Sequence, residues 1–400
     1  MIILRRREII GYAGTAFSIA SQIAKGSQLS NSPELGGIRP FPLPKSVGTR
    51  LIIAPSRDGK RLLLFGGNDI GNALLTPDRI VRRSNPAPGL LETISTEDWS
   101  TLWRSASLFS SPFGSFFADS YRCLIESPET KQWHIVNEHG AIESSHRYST
   151  NVGNDKDPLT IRSLYPYRDN IAIGRVQTGS SQYEWIHLDL ANERVVRRSP
   201  PLGEGSSTVS TRGFFTPISF SSDCETFAYG FDHQIEVRRS SDLSLLLVVD
   251  TKPSLEISRV AVSDGAIFLV VALTAFGSKP HGGSGVYGNG VLVYDIKRRS
   301  LIQRLATDAN NGIAISPDSR LLATAGEAWS GPRARYAETR ICITSLNTGK
   351  VLGYGEHIRV EHSRSGSFVA RGLAPDGLFF IPGRKLLAST GSISKLWTVD

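Results

Sequence analysis

From residue 50 onward, apolar and polar positions recur in units of one plan. A short apolar run ends in a turn carrying Asp, Asn or Ser, a second apolar run follows, and then come an alternating segment and a fourth short one. Runs of this length with period-two alternation, punctuated by turn residues, predict β-strands a, b, c and d. The sixth unit is the clearest: Gly312 to Ser316, the turn Pro317-Asp318-Ser319-Arg320, Leu321 to Ala325, Arg340 to Leu346, the turn Asn347-Thr348-Gly349-Lys350, and Val351 to Tyr354. Six more units start near Leu51, Ser115, Ile161, Ile218, Val260 and Gly377. Their b runs are Arg61 to Phe65, a run inside Ser115 to Arg147, Ile171 to Val176, Thr226 to Phe231, Ala266 to Leu273 and Leu386 to Gly391. The b runs lie roughly 40–65 residues apart, against ~40–45 for a compact four-stranded repeat, so several units carry insertions.

Apolar strand, S-P-D-S-R turn, L-L-A-T-A-G strand and N-T-G-K turn in unit six, with Leu396-Trp397 closing unit seven, resemble the WD-repeat family. The match covers about the last 190 residues and is pattern-level before that. The family's glycine–histidine pair and buried aspartate network are absent from these units. The resemblance implies an all-β chain: a single seven-bladed β-propeller of four-stranded antiparallel blades over residues 49–400. Unit seven stops after strand c, so residues upstream of Leu51 are expected to supply its outer strand, against the grain of Pro40, Pro42 and Pro44.

Residues 1–25 (MIILRRREIIGYAGTAFSIASQIAK) order a basic head, a weakly apolar middle and small residues, the order of an export leader. Arg6-Arg7-Glu8-Ile9-Ile10 resembles the twin-arginine leader, and that resemblance implies an exported, periplasmic protein; without a leader the location would be cytoplasmic. The apolar run is too short for an ordinary span of ~20 residues. Residues 26–48, punctuated by Pro and Gly, read as a linker.

The net charge of +8 includes no Lys/Arg block of the kind that tracks nucleic acid. The paired arginines Arg82-Arg83, Arg197-Arg198, Arg238-Arg239 and Arg298-Arg299 read as charge on outer strands, where it blocks edge-to-edge pairing. Cys123, Cys224 and Cys342 are too widely spaced for a C-x-x-C metal or redox motif and read as small packing residues.

Strand antiparallelism puts the b–c loops and the connections between units on one face. The long insertions fall there: 274–290, 326–339 and 355–372. Long loops on a rigid scaffold carry function. These hold Phe276, His281, Tyr287, Trp329, Arg333, Arg335, Tyr336, His357, Arg359 and His362, among them the Trp, Tyr and Arg types enriched in binding hot spots. They form the candidate partner-binding set. His281-Gly282-Gly283-Ser284-Gly285 lacks the strand-to-helix setting of a nucleophile elbow. His357 and His362 lack the spacing and third ligand of a metal site, and Gly153 to Asp157 lacks a full calcium loop. The sequence therefore predicts a monomeric, non-enzymatic scaffold with no cofactor, binding a protein or peptide and not nucleic acid. The alternative is an exported propeller enzyme, a hydrolase, lactonase or quinone-cofactor dehydrogenase, with its site at the central channel. The apolar a strands (Val260, Val262, Ile313, Ile315) speak against it.

Overall fold

The chain is given by a computed structural model that describes residues 38–47, 51–66, 89–109, 114–127, 130–147, 149–150, 159–178, 182–199, 218–231, 233–251, 255–278, 284–307, 309, 312–330, 336–361, 377–390 and 394–399. Residues 1–25, where the sequence leads one to expect an export leader, lie outside this set. The first strand is β1 (Ile38–Phe41). Blade 1 comprises β2 (Leu51–Pro55), β3 (Arg61–Gly66), β4 (Gly89–Ser95) and β5 (Thr101–Phe109). Blade 2 comprises β6 (Gly114–Phe116), β7 (Cys123–Ser127), β8 (Gln132–Val136) and β9 (Ile142–Arg147). Blade 3 comprises β10 (Ser149–Thr150), β11 (Leu159–Arg168), β12 (Ile171–Thr178), β13 (Gln182–Asp189) and β14 (Arg194–Arg198). Blade 4 comprises β15 (Ile218–Phe220), β16 (Thr226–Phe231), β17 (Gln234–Arg239) and β18 (Leu245–Asp250). Blade 5 comprises β19 (Glu256–Val262), β20 (Phe268–Ser278), β21 (Ser284–Asp295) and β22 (Ser300–Leu305). Blade 6 comprises β23 (Gly312–Ile315), β24 (Leu321–Ser330), β25 (Tyr336–Ser345) and β26 (Val351–Glu361). Blade 7 comprises β27 (Gly377–Ile381), β28 (Leu386–Thr390) and β29 (Lys395–Val399).

Every sheet is antiparallel, and the seven sheets form the seven blades of a propeller. β1 pairs with β29, Ile38 opposite Val399 and Phe41 opposite Leu396, so the N-terminal strand is the outer strand of blade 7. Pro40 sits in this outermost strand, where a missing N–H costs no ladder partner on the open side. Blade 3 departs from the four-strand plan: β10 pairs with the inner strand β11 and adds a fifth strand on the axis side.

The core is divided among the seams between blades. Each of the seven seams has its own buried cluster. Ile52, Leu62 and Leu64 meet Ile381, Ala388 and Leu396 between blades 1 and 7, for example, with Val47 buried among them. Because each b strand is covered by a neighbour on both faces, its residues are buried in succession, as in Leu62 to Gly66 and Leu269 to Leu273. The outer strands face solvent and lose this continuity; β14 is exposed at four of five positions.

The a–b turns share one construction in four blades. A buried serine (Ser56, Ser221, Ser263 or Ser316) takes its backbone N–H to the carbonyl that opens strand b, and its hydroxyl oxygen accepts from that same residue's N–H. In three of them the hydroxyl also donates to Asp58, Asp223 or Asp318 two residues on. In five blades the carbonyl at the end of this turn accepts from the first residue of the c–d turn, as Arg320 does from Leu346 at 2.8 Å, and in blade 7 Val399 at the end of β29 donates to Lys385 in the same way. In those five blades the two short turns are thereby held together on one edge of the sheet.

The paired arginines do not share a location. Arg197-Arg198 lie on the outer strand β14 as expected, but Arg238-Arg239 lie on β17, the third strand of blade 4, and Arg298-Arg299 in the turn between β21 and β22. Arg82-Arg83 lie outside the described residues. Arg238 can leave the outer strand because a buried carboxylate receives it: its Nε is 2.8 Å from Glu236.

Candidate binding edge

The short-turn edge is stapled across blades. Tyr121 donates to Asp58 at 2.6 Å, and the Arg61 guanidinium lies 3.5 Å over the Tyr121 ring, which ties blade 2 to blade 1. The Asp169 N–H donates to Asp119 and the Arg122 guanidinium to Asn170 between blades 2 and 3. Arg168 pairs with Glu225 between blades 3 and 4. Between blades 4 and 5 the exchange is reciprocal: the Asp223 N–H donates to Asp264 and the Gly265 N–H to Asp223.

That exchange sets two carboxylates close together. Burial pushes the Asp264 carboxyl above its usual range, the Asp223 charge pushes the same way, and the backbone donor opposes them. The unfolded chain keeps an ordinary carboxyl. Stability contributed here is therefore full below the ordinary carboxylate range and is lost as pH rises through the raised value. Asp264→Asn keeps the acceptor and removes the charge. We expect it to flatten this decline in thermal melts recorded from about pH 4 to about pH 8 and to leave the variant at least as stable as the parent at neutral pH.

The seam between blades 3 and 4 holds the most polar part of the core. Arg175 lies 4.0 Å over Tyr183 and 4.5 Å over Tyr229. Trp185 meets Phe227 and Tyr229 edge-on. Tyr229 is opposite Glu236 and Phe227 opposite Arg238, so this ion pair faces the same seam. The Glu236 and Arg238 side chains are 6% and 5% exposed. Burial pushes Glu236 upward and the Arg238 charge holds it down. Arg238 also donates to the Leu243 carbonyl at 2.8 Å. Glu236→Gln strands a buried guanidinium, so we expect about 3–5 kcal/mol of lost stability in urea titrations. A joint Glu236→Leu, Arg238→Met variant should lose less. Nearby, burial lowers the His187 pKa, and its Nε2 donates to the Ser240 carbonyl at 2.7 Å.

These contacts build a rigid platform and leave the other edge for long connections. The described strand ends that flank residues 67–88, 200–217, 279–283, 331–335 and 362–376 are those where strand b leads to c or d leads to the next a. These strand ends therefore lie on the edge opposite the stapled turns.

Two of the expected loops are strands. β20 and β21 stay in register past the blade to Ser278 opposite Ser284, after a bulge between Ala272 and Thr274. β24 and β25 do so to Ser330 opposite Tyr336, and β26 continues alongside to Glu361. Residues 274–290 and 326–339 are thus mostly β-ribbon, and 355–372 begins as strand. Gly277, Gly285, Gly288 and Gly326, which read as loop, lie within a continuing ladder of paired strands, and a bulge absorbs the odd residue.

Of the candidate residues, Phe276 is opposite Val286 and Tyr287 opposite Ala275 on the blade 5 ribbon. Trp329 is opposite Ala337, and Tyr336 lies between Ser330 and Glu361 on the blade 6 extension. Arg359 is opposite Glu338, and His357 falls at a bulge flanked by the Glu356–Arg340 and Ile358–Thr339 pairs. These six lie on two neighbouring blades. His281, Arg333, Arg335 and His362 lie outside the described residues. The blade 6 extension leaves its blade at Gly355, where a Cβ would stand 2.7 Å from the Trp397 ring. Trp397 is pinned by its indole N–H donating to Ser389 at 3.0 Å. Sequence reading missed the cross-blade staples and the buried ion pairs, because their partners are 41 to 63 residues apart or buried by a neighbouring blade.

Between blades 2 and 3, Trp133, Ile161, Leu164 and Leu188 line a cleft about the size of one water. At its margin His146 Nδ1 is 3.0 Å from Glu193. No group of three or more His, Cys, Asp or Glu among the described residues is placed to hold a metal. Cys123 and Cys342 are buried, and burial pushes the Cys224 thiol up to about 11. Low-pKa thiolate chemistry is absent from these three.

No protein-family model and no curated protein matches the chain. Solved structures do. The β-propeller domain of Myceliophteria thermophila Cps50 (Swd1) is similar over 92% of this chain and 100% of that one, with a TM-score of 0.50 and 11% identity. The fold is a shared β-propeller. Chaetomium thermophilum Raptor is similar over 94% of this chain and 30% of that one, with a TM-score of 0.52 and 11% identity. The Neurospora crassa Pan2 WD40 domain is similar over 92% of this chain and 95% of that one, with a TM-score of 0.48 and 11% identity. No helix among the described residues is long and apolar enough to cross a membrane.

Proposed function

We propose that this propeller is a non-enzymatic binding scaffold that recognises a protein or peptide through the edge bearing its long connections, chiefly the extensions of blades 5 and 6. The carrying observation is the contrast between the two edges. One has short turns locked to one another by hydrogen bonds across blades. The other has two strand extensions on adjacent blades. A ribbon offers ordered backbone and side chains at low entropic cost on binding. The test replaces residues 274–290 and 326–339 by short Gly/Ser turns in the full chain and compares partners recovered by affinity capture. Loss of partners from the shortened protein, with its melting unchanged, supports the assignment; an unchanged set removes it.

We also propose that residues 1–25 direct export by the twin-arginine route. N-terminal sequencing of the mature protein decides this: a start between about residue 21 and about residue 26 supports it, and an intact Met1 in the cytoplasmic fraction rejects it.

A further inference from the structure

The short-turn edge divides by charge. In blades 2 to 4 its turns carry Asp119, Asp169, Asp189, Asp223 and Asp242. Four of these carboxylates are used by the fold, each accepting a backbone N–H: Asp119 from Asp169, Asp189 from Ala191, Asp223 from Gly265 and Asp242 from Ser244. In blades 5 to 7 and the a–b turn of blade 1 the same edge carries Lys60, Arg299, Arg320, Lys350, Arg384 and Lys385, all exposed. The fold makes little use of these. Arg299, Lys350, Arg384 and Lys385 form no ion pair with a described residue. Arg320 is 3.9 Å from Asp318 with both side chains largely in solvent. The anion beside Lys60 is Asp58, whose oxygens already accept from Tyr121, Ser56 and the Lys60 N–H.

The turns that hold these cations belong to four successive blades and touch at the seam between blades 7 and 1 and at that between blades 5 and 6. The Gly59 and Pro382 turns of blades 1 and 7 touch so closely that a Cβ at Gly59 would stand 1.7 Å from the Pro382 carbonyl oxygen. The Arg320 carbonyl binds the N–H of Leu346 at the head of the Lys350 turn. A Cβ at Gly349 of that turn would lie 3.4 Å from Gln303 on the outer strand that follows Arg299. Gathering cations of one sign on one stretch of surface raises self-repulsion, and the internal contacts return little for it.

We infer that this crescent, from blade 5 through blades 6 and 7 to blade 1, docks an acidic protein segment. The patch is bounded: Glu97 and Asp98 in the c–d turn of blade 1 close one end, and the aspartates of blade 4 close the other. A flat anionic membrane or a long nucleic acid laid on this edge would meet those acidic turns. A short run of Asp and Glu fits between them. This contact is separate from the one proposed on the opposite edge, so both can be occupied together.

The test uses the full chain at about 0.15 M salt and a fluorescent peptide of alternating Glu and Asp, read by anisotropy. Arg384→Glu with Lys385→Glu, and separately Lys350→Glu with Arg299→Glu, should each weaken binding by about tenfold or more. Lys131→Glu with Arg147→Glu makes the same change in net charge away from the crescent and should change it less than about twofold. If a charge reversal lowers the melting temperature, Arg384→Gln with Lys385→Gln replaces it and should still weaken binding severalfold. Equal weakening by the distant control, or tighter binding of phosphatidylglycerol vesicles or of a single-stranded oligonucleotide than of the peptide, would overturn the proposal.

Discussion

Gly59→Ala is expected to cost about 3–5 kcal/mol of stability, which in a chain of this size lowers the melting temperature by roughly 3–6 °C. Two effects add. Gly59 has φ +67, a left-handed conformation that disfavours any Cβ. The Cβ would also stand 1.7 Å from the Pro382 carbonyl oxygen, backbone of the neighbouring blade that cannot swing away as a side chain would. Gly383, in the facing turn, separates the two effects. Its φ is +68, but a Cβ there would be 3.8 Å from the Asp58 carbonyl oxygen, ordinary contact. Gly383→Ala should therefore cost only the conformational part, about 1 kcal/mol. Urea titrations of the two variants measure the difference. Equal losses would mean that the seam between blades 7 and 1 is looser than this packing requires.

Removal of β1 is the second large effect. A chain starting at residue 42 should be less stable by roughly 5 kcal/mol than one starting at residue 36. It loses a four-residue ladder with β29, the buried Ile38 side chain and the contact of Phe41 with the Trp99 ring at 5.7 Å. It also leaves β29 as a bare edge, so aggregation should accompany the lower melting temperature. A peptide spanning residues 36–48 added in trans should restore part of the loss by strand addition. Equal stability of the two chains would show that the ring does not depend on this closure. Ile38→Ala gives the smaller companion effect, about 2–4 kcal/mol.

The contact predictions bear on function through the same division of labour. Hydrogen bonds on the stapled edge hold neighbouring blades in register, which lets the opposite edge carry long insertions at little thermodynamic cost. A scaffold of this kind tolerates changed ribbons and does not tolerate changed seams. Ribbon replacement should leave melting intact, whereas Gly59→Ala or Glu236→Gln should not.

The sequence by itself determined the number of blades, the position of nearly every b strand and the edge on which the insertions fall. Each rests on short-range information: period-two alternation, continuous apolar runs where both faces are covered, and turn residues such as Ser316-Pro317-Asp318 that bond within five positions of themselves. Only the tertiary structure decided the rest. Whether Thr274 to Ser278 is loop or strand depends on a partner, Ser284 to Gly288, whose backbone bonds no local residue preference records. Whether Arg238 is a surface charge or half of a buried pair depends on blade 3 covering it. Asp223 and Asp264 exchange hydrogen bonds although they are 41 residues apart, because equivalent turns of successive blades meet side by side. A repeat specifies its own unit through neighbours along the chain, and the contacts between units appear only when the ring closes.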